Sequence, residues 1–193
     1  MVSFDESYLK SRPQSLCHMC GKCCRVVTTS YTYEELKEQV VLGISEAVDF
    51  LSVFEPYSSI DDARLVDDGV VENILKYYRM KENYDESKIT FYCCKYLGDD
   101  NLCQNYENRP TLCKHFPAVP WAVVPPDCGF TGWLYSKREE TKEKVRRVKE
   151  NLLELELLKS KTLQPEELAR IKIVEQKFNK IIAKYETYGS RDW

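Results

Sequence analysis

A chain of 193 residues with 43% hydrophobic and 31% charged residues is long and apolar enough to bury a core, and thirteen tyrosines argue against disorder. A formal net charge of −3 offers little attraction for phosphate backbones, so nucleic acid is not an expected partner. No stretch approaches the roughly 18 apolar residues of a membrane span, and residues 1–16 carry Asp5, Glu6, Lys10 and Arg12 with no apolar export signal, which predicts a cytoplasmic protein with no membrane partner.

The first chemistry-bearing segment is the run CHMCGKCC, with Cys17, Cys20, Cys23 and Cys24. Directly after it, Thr32-Tyr-Glu-Glu35 supplies a capping box and Gly43 a stop, which predicts a helix of about ten residues. A second short helix is expected from Ser45, on the stripe Ala47, Val48, Leu51 and Phe54, ending before Pro56. The two helices should cover the cysteine loop. From Ser58 to Ser87 the signals are mixed: a turn is expected around Asp61, Asp62, Asp67 and Asp68, and Val70–Met80 reads equally as strand or helix.

The β-branched and aromatic run Ile89-Thr90-Phe91-Tyr92 predicts a short strand delivering Cys94. Gly98-Asp-Asp-Asn101 supplies a turn and Leu102 a return strand, so a small hairpin should bring Cys94 near Cys103. Between Arg109 and Gly132, five prolines and two glycines predict an irregular loop that holds Cys113 and Cys128.

Beyond Trp133 the pattern turns helical. Val145, Val148, Leu152 and Leu155 form one stripe; Pro165 at a helix start with a Leu163–Leu168 staple opens a second, through Leu168, Ile171, Val174, Phe178, Ile181 and Tyr185. An antiparallel hairpin over residues 138–188 follows, packed on the core or offered to a protein partner. Its lysines and arginines from Lys137 to Lys149 alternate with glutamates, the pattern of a solvated helix face. The fold class expected is α+β, mainly helical and irregular, with residues 1–135 as a small metal-organised cysteine domain and residues 136–193 as a helical extension.

Nine cysteines in a reducing compartment point to metal rather than disulfides, and an odd number cannot all pair. Thiolates in fours select zinc or iron-sulfur centres. Adjacent Cα atoms lie about 3.8 Å apart with side chains diverging in extended chain, so Cys23 and Cys24 should not share one ion. Either they serve two neighbouring centres, or one is a structural or redox thiol. The x2-x2 spacing of Cys17, Cys20 and Cys23 resembles a ferredoxin-type run, which favours a 4Fe-4S cluster over zinc. The second group, with 8, 9 and 14 residues between Cys94, Cys103, Cys113 and Cys128, assigns no metal by itself but could complete a site begun by the first. His18 and His115 are not needed as ligands.

CHMCGKCC together with Cys94, Cys103-Gln-Asn-Tyr106, Arg109-Pro110 and Cys113 resembles the CxxCxxCC cysteine-cluster family of the YkgJ type, described as zinc- or iron-chelating, to which a flagellin lysine N-methylase is similar. The resemblance spans about residues 17–132. It implies Cys17, Cys20, Cys23, Cys24, Cys94, Cys103, Cys113 and Cys128 as metal ligands and leaves Cys93 unplaced. Arg109 should offset thiolate charge or donate to sulfur, with Pro110 holding its backbone extended, and Tyr106 should pack in the core rather than support the ligands from outside. Three functions remain in view: a redox or metal-handling protein with one or two iron-sulfur centres, a zinc-stabilised interaction module, and a metal-dependent enzyme subunit with an open coordination position.

Overall fold

The structure, a computed structural model, describes Tyr8 and residues 11–80, 84–161 and 164–189. Its first unit, residues 1–131, is built around three short antiparallel strands, β1 (Val27–Thr28), β2 (Phe54–Pro56) and β3 (Phe91–Cys94), in the order β1-β3-β2. β3 is central. Tyr92 faces Val27 on one side and Pro56 on the other, and Cys94 faces Phe54.

Because side chains alternate along a strand, Phe91 and Tyr92 enter different cores. Phe91 joins Val26, Ala63, Val70, Val71, Ile74 and Leu75. Tyr92 joins Leu36, Ala47, Val53 and Phe54, with Cys94, Leu112 and Cys113 packed against that cluster. Both aromatic rings are fully buried, each contributing on the order of 2 kcal/mol in apolar burial. Phe50 meets the edge of the Tyr92 ring at a centroid distance of 5.0 Å.

The helices follow local rules. A one-turn helix α1 (Lys22–Arg25) opens at Gly21, whose φ of 71° suits glycine. In α2 (Tyr33–Val41) the expected capping box is present: Glu35 donates its amide to Thr32 Oγ1 at 3.2 Å, and Thr32 donates its own to Glu35 Oε2 at 2.8 Å. Gly43, at φ 72°, ends the turn, and α3 (Ser45–Val53) leads straight into β2. The ambiguous segment resolves as one helix, α4 (Ile60–Arg79), kinked at Asp67 (φ −159°, ψ 87°). Asp61 and Asp62 are first-turn acids behind the Ser59 cap, not turn residues. Asp67 Oδ1 accepts the Val70 amide at 3.0 Å and so caps the second half of the helix.

Two further expectations change. The strand starts at Phe91, since Ile89 closes a 3-10 turn instead. The predicted loop also contains one helical turn, α5 (Thr111–Lys114), opened by Pro110 and carrying Cys113.

The second unit, residues 132–193, contains most of α6 (Thr131–Lys161) and all of α7 (Pro165–Gly189). Lys159 of α6 reaches Glu175 of α7 at 2.9 Å, so the helices run back alongside one another. Val145, Val148, Leu152 and Leu155 are half-buried as the stripe requires, whereas the α7 stripe runs from Phe178 through Ile182 to Tyr185, leaving Ile181 exposed. That 4-3 step keeps one face inward. Leu163 lies outside the described residues, and the staple with it. The charged face is laced with ion pairs, among them Arg146 with Glu143 and Glu150, and Lys137 with Glu140. The fold is mainly helical α+β with a small antiparallel sheet and a C-terminal helical pair. Among the described residues no helix is long and apolar enough to cross a membrane.

Candidate metal centre

All nine cysteines are free thiols, and the fold sorts the eight candidates into two neighbourhoods. The inner one lies on the Tyr92 side of the sheet. Cys24, on α1, interacts through its side chain with both Cys23 and Cys94 and lies near Cys113. Cys113 in turn has Cys94 and Cys103 as charged neighbours. β3 supplies Cys94, whose sulfur accepts the Tyr96 amide at 3.4 Å. The turn after it supplies Cys103: Leu97 bridges Cys103, the Gly98 amide donates to Leu102 O at 2.9 Å, and the Gln104 amide to Tyr96 O at 2.8 Å. The expected hairpin therefore exists, but the return residue paired in it is Cys103, with Leu102 exposed.

The outer neighbourhood joins Cys17 and Cys20, both exposed, to Cys128, which has both as charged neighbours. Met19 at φ 50° and Gly21 at φ 71° curl the chain around Cys20. Gly129 holds the far side. A Cβ there would stand 2.0 Å from Leu16 O and 2.7 Å from His18 Nε2, so only glycine permits the Cys128 loop to lie against the Cys17 backbone. Lys22 ties the same loops together, donating to Pro126 O at 3.1 Å and pairing with Asp127 at 3.6 Å.

Alternation along β3 also separates Cys93 from Cys94. Cys93 points to the opposite face, within 3.8 Å of the Glu55 carbonyl and carboxylate. It has Tyr57, not another thiol, as its hydrogen-bonding neighbour.

Electrostatics favour the protonated form of Cys24, Cys94, Cys113 and Cys128. The interaction with Cys23, then burial, pushes Cys24 up to about 12. Cys94 is raised further, first by Cys24 and then by burial. Burial, followed by the charge of Cys94, lifts Cys113 to about 11 while Arg109 opposes the rise. Burial also raises Cys128, against the Phe130 amide. These directions are the reverse of what a nucleophilic cysteine needs. They suit ligands whose protons leave when a cation arrives.

The thiols are neighbours rather than a formed shell: among the described residues no three His, Cys, Asp or Glu side chains stand where together they could hold a metal ion. The donor chemistry nevertheless fits soft metal, and the Gly129 contact holds the two outer loops together. Arg109 lies over the Tyr106 ring, 3.8 Å from its centroid, with Nε buried and without a hydrogen-bond partner among the described residues. Tyr106 is 51% exposed, so it is a platform for Arg109 and not the core residue expected, because the turn before Pro110 leaves its outer face in solvent.

Sequence reasoning overlooked Arg12, which is 7% exposed and donates to Phe116 O at 2.7 Å and to Lys114 O. The signal was available: Arg12-Pro13 ahead of Cys17 repeats Arg109-Pro110 ahead of Cys113. Gly129 was counted only as a loop former.

A protein-family model described as "Putative zinc- or iron-chelating domain" matches residues 16–150. The match runs past residue 132 and into α6, further than the cysteine pattern alone reaches. No curated protein and no solved structure matches the chain.

Proposed function

The chain belongs to the CxxCxxCC family, and from that membership we propose that it holds metal through two thiolate sets divided at the Cys23-Cys24 peptide bond. Cys24, Cys94, Cys103 and Cys113 form the inner set; Cys17, Cys20 and Cys128 form the outer one, completed by Cys23, which stands at the junction with its side chain against Cys24. The observation that carries this reading is the separation of Cys24, beside Cys94 and Cys113, from Cys128, beside Cys17 and Cys20. A metal bound there would supply Lewis-acid, redox or purely structural chemistry. The residues of the chain would hold the ion, exclude water on the Tyr92 side and balance charge through Arg109. Residues 1–135 act as the metal domain and the helical pair as its extension.

We favour iron-sulfur centres with a redox or metal-handling role, because three cysteines at x2 spacing match a ferredoxin-type run. The left-handed residues around Cys20 support a second reading, a knuckle for structural zinc, in which Leu153, Leu157 and Leu158, all more than half exposed, face a protein partner. Purification without oxygen, followed by metal analysis and a visible spectrum, separates the two. Broad visible absorption with iron and acid-labile sulfide supports the first. A colourless protein with stoichiometric zinc supports the second, and a chain that takes neither metal ends both.

A further inference from the structure

Arg12 is nine-tenths buried, yet its hydrogen-bond acceptors are neutral: the carbonyls of Lys114 and Phe116. Those carbonyls belong to the chain immediately after Cys113, so the guanidinium clamps the exit of the inner set. Its charged and polar neighbours are Tyr8, Arg109, Cys17 and the neutral side-chain amide of Gln14. Among the described residues neither Arg12 nor Arg109 forms an ion pair with a carboxylate. Two cations placed near each other without a carboxylate bound to either repel, Asp49 standing in the surroundings of Cys113, and burial makes that arrangement unfavourable unless negative charge arrives.

Such charge is what metal loading would create. Four thiolates around one zinc ion carry a net charge of about −2, so two loaded centres would surround this guanidinium pair with negative charge. We propose that Arg12 is a positioning residue shared by both metal sets: its charge offsets the outer thiolates at Cys17 while its two carbonyl hydrogen bonds fix the chain that follows Cys113. Arg109 plays the matching part beside Cys113. This inference rests on the two-set reading above.

The test is zinc titration of the full chain against a chromophoric chelator, with far-UV circular dichroism on the same samples. Arg12→Gln, which removes the charge, is expected to weaken zinc binding by about 10- to 100-fold, the usual effect of removing a group that supports metal ligands, with helix content unchanged. Arg12→Lys, which keeps the charge but cannot span both carbonyls, is expected to recover at least half of that loss on a logarithmic scale. Wild-type affinity in Arg12→Gln, or Arg12→Lys no better than Arg12→Gln, overturns the proposal. If Arg12→Gln does not fold, Arg12→Lys decides alone: affinity within about threefold of wild type supports it, and a loss of tenfold or more overturns it. A wild-type chain that binds neither zinc nor iron defeats the two-set reading and this inference with it, whereas metal bound equally by wild type and Arg12→Gln defeats this inference only.

Discussion

The inner and outer cysteine neighbourhoods are held by different physics. Cys94 and Cys113 pack against a hydrophobic cluster, Cys94 on a strand whose register is fixed on both sides. Cys17 and Cys20 are exposed on a turn with left-handed residues, and the Gly129 contact and the Lys22 bridges tie them to Cys128. One set is placed by the core and the other by loop closure, so metal should matter to their order in opposite degrees.

Chelation should break that symmetry most visibly. A structural zinc is worth roughly 10 to 16 kcal/mol in apparent binding against about 5 to 15 kcal/mol for a whole domain. Limited proteolysis of chelated protein is expected to cut first within residues 13–23 and 118–129, while β3 and α3 stay protected. Early cleavage in β3 would mean the inner set depends on metal just as much.

Single cysteine variants sharpen the division. Cys24→Ser and Cys94→Ser should each cost metal at the inner set, and Cys20→Ser at the outer set, whereas Cys93→Ser should leave metal content unchanged. Elemental analysis decides it, and lost metal in Cys93→Ser would show that the wrong face of β3 was chosen.

Next in size, Gly129→Ala drives a Cβ into Leu16 O and should cost about 1 to 3 kcal/mol along with the outer metal. A denaturant midpoint equal to wild type would show that the loop relaxes freely.

The pH response follows from the thiol shifts. Unfolded cysteines ionise near 9.0 while folded, metal-free Cys24 keeps its proton to about 12, so between those values the native state binds more protons and stability falls as pH rises. Thermal melts of metal-free protein should therefore drop from about pH 9 upward, a flat profile arguing against the Cys23-Cys24-Cys94 contacts. Smallest of all, Thr32→Ala should cost about 1 kcal/mol through the lost cap with metal content intact.

Legibility varied with the range of the interaction. The Thr32 capping box, the Gly43 stop, the start of the Ser45 helix and the Val145–Leu155 stripe were readable because each depends on residues within a few positions, whereas in the expected Ser45 stripe Val48 is exposed and Phe54 belongs to β2. Val70–Met80 was not, since its apolar residues suit either period until Phe91 and Val26 supply the surface they bury against. Ile181 was misread for Ile182 because both are isoleucine and only a neighbouring helix selects one. Tyr106 was misread because exposure is decided by the turn that carries it.

The amino-acid order alone determined that eight of nine cysteines would fall in two spaced groups, the soft donors available to a metal, but not how Cys23 and Cys24 lie, because the chain takes a helical turn there and their side chains meet. Only tertiary structure decided which distant sulfurs become neighbours, and that Arg12, Arg109 and Gly129 stand between them. Those contacts cross more than a hundred residues, and they depend on strand register and core packing that no local pattern encodes.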